Sequence, residues 1–144
     1  DNGKGMTSET MQNVTDPFYT TRKTRKVGLG IPFFKMAAEQ TDGKFSLDST
    51  LGVGTTVTAS FTLGHVDLVP LGDMSGSICT LIQCNPSLDF VYIVKADDEQ
   101  FTLDTRELRQ ILGTDVSFDN AEVALFIKDY LAENTNHIIQ RSVT

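Results

Sequence analysis

The sequence predicts an α+β fold, on three observations. Ile31, Phe34, Ala37 and Ala38 recur at helical spacing behind a proline. Residues 44–63 then alternate apolar and polar side chains in two runs joined by a glycine-containing turn. After residue 64 the composition shifts to Gly, Pro, Asp and Ser before structure-forming patterns resume, which divides the chain into regions 1–64 and 65–144.

Taken in order, DNGKGM is a glycine-rich turn, and Thr7 or Ser8 caps a short helix through Asn13. Residues 14–28 form a loop. A helix is predicted over 29–40, with Pro32 in its first turn, where a missing N–H costs little, and Gly43 as its terminator. Strands are predicted over 44–50, with Phe45 and Leu47 on one face, and over 55–63, with Val57, Ala59, Phe61 and Leu63 on one face. The loop Leu51-Gly-Val-Gly54 joins them. In the second region, 77–84 reads as a strand, 90–95 as another and 101–103 as a short third. Asp104-Thr-Arg-Glu107 and Asp119-Asn-Ala-Glu122 each have capping-box spacing. The first opens a helix with Leu108, Ile111 and Leu112 on its stripe, ending at Gly113. The second opens one carrying Val123, Ile127, Tyr130 and Leu131. The last ten residues are polar and are expected to fray.

At 144 residues and 40% apolar content the chain is long enough for a core. It carries 19 acids against 12 Lys and Arg, a formal charge of -7. Four of those cations, Arg22, Lys23, Arg25 and Lys26, fall within five positions, a local exception in an acidic molecule. That distribution argues against nucleic acid, whose binders spread basic residues over a face, and favours a small anionic ligand. Cys79 and Cys84 read as two small core hydrophobes rather than a disulfide framework. No signal peptide or spanning run is visible, so a cytoplasmic compartment without membrane contact is expected. The start at Asp-Asn-Gly, without Met, reads as a piece of something longer.

Three clusters carry chemistry. Asp1-x-Gly3-x-Gly5 offers a carboxylate to an exocyclic amine and lets the backbone pass close to a flat ligand. The aromatic pair Phe18-Tyr19 leads into the cationic loop, which ends at Gly28-Leu29-Gly30 and a helix N-terminus. Unpaired N–H groups there suit phosphate. Gly54-Thr55-Thr56 opens a strand with hydroxyls able to reach a base. Each cluster alone is weak, and a turn or a solvated loop explains any one of them.

In that order and spacing, DNGKGM, DPFYTT, GLGI and LGVGTTVTASFTL resemble the C-terminal half of the ATP-binding domain shared by gyrases, heat-shock chaperones, sensor histidine kinases and mismatch-repair ATPases, with the histidine-kinase branch nearest. The resemblance covers residues 1 to about 63. It implies part of a two-layer α/β sandwich, followed by a small ββ(β)αα accessory or docking region. It implies that Asp1 receives the adenine amine and that Gly3 and Gly5 floor the base and sugar. Phe18 would anchor a lid running from Tyr19 to Val27, in which Arg22, Lys23, Arg25 or Lys26 pairs with phosphates. Gly28, Leu29 and Gly30 would bring the helix N-terminus to the phosphates, and Thr56 would assist adenine through water. The implied function is the catalytic portion of a sensor-histidine-kinase-like protein that passes the γ-phosphate of ATP to a histidine on another domain. The alternative is an ATP-driven conformational switch or an anti-sigma-factor-type serine kinase with a docking C-terminal region. The family's magnesium-binding Asn and its general base have no counterpart in this sequence, so no catalytic or metal residue is named. Productive binding of ATP with Mg is expected only in an intact parent. The apolar faces of 29–40 and 44–63 need cover, which the C-terminal region together with self-association as a homodimer is expected to supply, the alternative being disorder.

Overall fold

A computed structural model describes residues 1–19, 28–113 and 117–141. The fold is α+β, as predicted. The chain divides into two compact units, Asp1–Pro70 and Leu71–Thr144.

The first unit holds α1 (Ser8–Asn13), α2 (Gly30–Gln40), β1 (Phe45–Thr50) and β2 (Gly54–Ala59). Thr7 caps α1, its side chain accepting from the Thr10 N–H. Pro32 lies in the first turn of α2 and is buried. The helix ends in a Schellman arrangement: the Asp42 N–H donates to Glu39 O and the Gly43 N–H to Ala38 O. The left-handed residue is Asp42 (φ 55°), not the glycine beside it. Gly43 is needed for a different reason, since a Cβ there would lie 1.8 Å from Ser60 O.

β1 and β2 pair antiparallel from Phe45↔Ala59 to Thr50↔Gly54. Phe45, Leu47 and Ser49 form the half-buried face of β1, as the alternation predicts. Phe34 of α2 sets its ring edge-on to Phe45 at 6.4 Å and tilted to Phe61 at 6.0 Å. β2 is shorter than the predicted 55–63. At Ser60 the chain leaves the ladder, and the Thr62 N–H donates to Thr41 O at the end of α2.

The second unit holds α3 (Met74–Cys84), β3 (Val91–Ala96), β4 (Glu99–Asp104), α4 (Thr105–Leu112) and α5 (Ala121–Arg141). Its order is αββαα, which corrects the expected ββ(β)αα. The segment 77–84 is not a strand. Asp73 caps a helix there through the Gly76 N–H, and Ser75, Cys79 and Ile82 bury one helical face. Cys79 is buried and Cys84 is exposed, so only the first is a core residue. The Cys79 Sγ lies 3.4 Å from Ala124 O, and burial pushes its thiol pKa up.

β3 and β4 form a hairpin from Val91↔Asp104 to Ala96↔Glu99, whose inner face carries Phe101 and Leu103. Asp104 caps α4 through the Arg106 N–H, and Asn120, rather than Asp119, receives the Glu122 N–H at the start of α5. The expected fraying of the last ten residues is corrected for 135–141, while 142–144 lie outside the described residues. α5 runs on to Arg141 because Thr135 and Ile138 continue the buried stripe of Ile127 and Leu131. Ile127, Leu131 and Ile138 join Cys79, Ile82, Phe101, Leu103, Leu108 and Phe118 in one core. Arg109 ties the α3–β3 connection down: it donates to Pro86 O and Leu88 O, pairs with Asp89 and lies 4.9 Å from the Phe118 ring centroid. No helix among the described residues is long and apolar enough to cross a membrane.

Candidate functional site

Residues 1–5 run alongside the β1–β2 hairpin and bond to it. The Asp1 nitrogen donates to Thr55 O at 2.8 Å, the Thr55 N–H returns to Asp1 O at 3.1 Å, and the Gly52 N–H donates to Lys4 O at 2.8 Å. Two glycines permit this approach. Gly5 is buried with φ 64°, and a Cβ on it would lie 2.0 Å from Thr50 O. Gly54 has φ 147°, and a Cβ on it would lie 2.0 Å from Asp1 O. The segment is thus fixed at both ends by backbone contact that no larger residue allows.

Asp1 and Gly3 make a local turn in which the Gly3 N–H donates to Asp1 Oδ1 at 2.9 Å. That bond holds the carboxylate by one oxygen. The structure brings Asp1 beside Thr55, so Thr56, the next residue on β2, is its near neighbour along the strand. Thr56 pairs with Asp48 in the ladder and is exposed. The backbone of residues 1–5 is therefore bound along the hairpin, next to the strand that carries Thr56.

One positioning residue was missed from sequence. Ser49 Oγ accepts from the Met6 N–H, donates to Gly54 O and lies 2.9 Å from Thr55 Oγ1, so it couples the N-terminal segment to both strands. A hydroxyl at the third inward position of β1, after Phe45 and Leu47, is the signal that would have found it.

The second group of predicted residues lies around the start of α2. The Gly28 N–H reaches Pro17 O at 3.4 Å, closing the base of the loop. Leu29 is the N-cap residue, and no side chain caps the helix. A Cβ at Gly30 would meet nothing within 4 Å. The opening turn of α2 therefore keeps donors and open space together, which suits an anion. Before it, the Phe18 N–H donates to Asp16 Oδ1 while the Phe18 ring is 82% exposed, and the Tyr19 N–H donates to Asp16 O. Arg22, Lys23, Arg25 and Lys26 lie outside the described residues.

These residues fit the adenine and phosphate ends of a nucleotide in donor and acceptor type. The described residues contain no group of three His, Cys, Asp or Glu side chains able to hold a metal. His65 does not extend the site. Its Nδ1 accepts from the Asp67 N–H at 3.1 Å, and its Nε2 lies 3.6 Å from Asp42.

Residues 1–65 match the family model of histidine kinase-, DNA gyrase B- and HSP90-like ATPases. A protein of Shewanella frigidimarina (strain NCIMB 400), provisionally named a sensor protein, is 38% identical over 68 residues. That match takes in 46% of this chain and 10% of the relative, so the chain spans about a tenth of that protein's length. No solved structure matches the chain. Residues 1–65 are a segment of a histidine-kinase-type ATPase domain.

Proposed function

We propose that residues 1–65 supply one wall of an adenine-nucleotide site in a sensor-kinase signalling protein, whose phosphate acceptor is a histidine on another domain. The observation that supports this reading is the paired backbone bonding of Asp1 with Thr55, which ties the segment that carries Asp1 to the strand that carries Thr56. In this reading Asp1 accepts from the adenine amine, Thr56 assists through water, and Gly3 and Gly5 keep the backbone low beneath the base. The opening turn of α2 faces the phosphates, and the lid cations Arg22, Lys23, Arg25 and Lys26 add charge there. ATP supplies the transferable phosphoryl group; the described residues bind and orient it. The provisional sensor name of the Shewanella relative favours a signalling parent over the gyrase or chaperone branches.

A titration of the isotope-labelled chain with ATP and with GTP, followed by amide NMR, tests the reading. The Gly3, Gly5, Thr55 and Thr56 amides are expected to move with ATP and far less with GTP, whose base presents a carbonyl where adenine presents the amine. Asp1→Asn is expected to remove the preference. Equal responses to the two nucleotides, or an unchanged preference in the variant, would refute the assignment of Asp1. Little thermal stabilisation is expected, since a ligand present at its Kd contributes only about 0.4 kcal/mol.

A further inference from the structure

The charge of this protein is unevenly divided. Residues 1–70 hold 7 acids and 7 Lys or Arg, whereas residues 71–144 hold 12 acids and 5 Lys or Arg, so the second unit carries the whole formal charge of -7. Within that unit α5 has two faces. Ala124, Ile127, Leu131, Thr135 and Ile138 are buried. On the opposite side Glu122, Leu125, Phe126, Asp129 and Glu133 recur at helical spacing and are all exposed.

The apolar part of this outer face is substantial and ordered. Leu125 is 60% exposed and Phe126 50%. The Phe126 and Tyr130 rings stack at 6.0 Å with 5° between their planes. Tyr130 in turn meets the buried Phe101 edge-on at 5.4 Å. The exposed rings are thereby propped on the core, so little side-chain entropy remains to be lost on contact. Glu122, Asp129 and Glu133 stand beside them, and none is in an ion pair among the described residues.

We propose that this face of α5 docks a cationic amphipathic helix of a protein partner. The partner's apolar stripe would cover Leu125, Phe126 and Tyr130, and its Lys or Arg residues would answer Glu122, Asp129 and Glu133. Charge decides among occupants. A second copy would set one -7 unit against another, whereas a cationic helix gains attraction across the same contact. The inference is independent of the nucleotide reading of residues 1–65.

The test uses the full chain and a fluorescein-labelled Leu/Lys amphipathic helical peptide of about five turns, with a shuffled peptide of identical composition as control. Anisotropy is expected to show binding of the amphipathic peptide and at least about tenfold weaker binding of the shuffled one. Phe126→Ser with Leu125→Ser is expected to weaken binding about tenfold or more. Glu122→Gln, Asp129→Asn and Glu133→Gln together, which leave the rings intact, are expected to weaken it several-fold at low salt and little at high salt. Asp97→Asn with Asp98→Asn, at the tip of the β3–β4 hairpin, should change nothing. Equal loss in this last variant, or equal binding of both peptides, would mean a general acidic field and would overturn the proposal. A dimer in sedimentation that Phe126→Ser dissociates would overturn it in favour of a second copy. All the substituted side chains are exposed, so matching circular dichroism and melting curves are expected across the set.

Discussion

Replacing Gly5 by alanine puts a methyl group where the protein already has a carbonyl. The position has φ 64°, and the added Cβ would lie 2.0 Å from Thr50 O and 2.6 Å from Thr50 C. The left-handed conformation with a side chain costs about 1–2 kcal/mol. The clash cannot be relieved by a rotamer, because both obstructing atoms belong to the backbone of β1. Residues 1–5 must lift, and the bonds from Gly52 N–H to Lys4 O and from Met6 N–H to Ser49 Oγ weaken, each worth about 0.5–1.5 kcal/mol. The combined cost is about 2–5 kcal/mol, confined to this segment. Gly3→Ala is the matched control: its Cβ would lie 3.0 Å from Asp1 Oδ1, the end of a side chain that can turn away, and should cost under about 1 kcal/mol. Amide hydrogen exchange at Met6, Gly52 and Thr55 reads the difference directly. In Gly5→Ala these amides should exchange about 30-fold faster or more, while the amides of α5 keep their rates. Equal effects from the two substitutions, or unchanged exchange in Gly5→Ala, would refute the argument that bare backbone at residue 5 holds Asp1 against β2.

Two further outcomes follow from the second unit. Thr105 is fully buried and its Oγ1 accepts from the Phe90 N–H at 2.9 Å, so Thr105→Val keeps the shape but strands a donor. A loss of about 1–3 kcal/mol is expected by urea unfolding, with Ser at 105 recovering most of it. Hydrogen bonds from the Arg106 side chain, then from its backbone N–H, hold the Asp104 carboxyl below its ordinary pKa. A depressed acid contributes stability above its unfolded value and loses that contribution as pH falls through the folded one. Asp104→Asn should therefore flatten the decline in melting temperature on going from about pH 5 to about pH 3; an identical decline in both proteins would contradict the linkage.

The sequence was legible where one residue type has one local use. Thr7 as a cap, Pro32 in a first turn, and the alternation of Phe45 and Leu47 each mark an element that the structure contains. It was misleading where a short apolar run fits two periods. Ile78, Thr80 and Ile82 alternate as in a strand, yet Ser75, Cys79 and Ile82 bury a helical face, and the Asp73 cap that decides between them lies outside the run. The end of α5 was obscured because Thr135 is polar: it occupies a core position, 3.4 Å from the Tyr92 hydroxyl, that an apolar pattern does not count. At the candidate site the glycines were legible as places of close approach. What they approach was not, because the contact of Gly5 with Thr50 and of Gly54 with Asp1 joins residues about fifty positions apart.

Arg109 restricts how this molecule can be rebuilt. One guanidinium answers the carbonyls of Pro86 and Leu88 together with the Asp89 carboxylate, so the span between α3 and β3 has a fixed length as well as a fixed path. An insertion there would strand those oxygens and take the charge away from Phe118. The two-residue tip at Asp97–Asp98, which touches none of this, is the position in the second unit where a reporter or affinity handle can be spliced in without disturbing the interior.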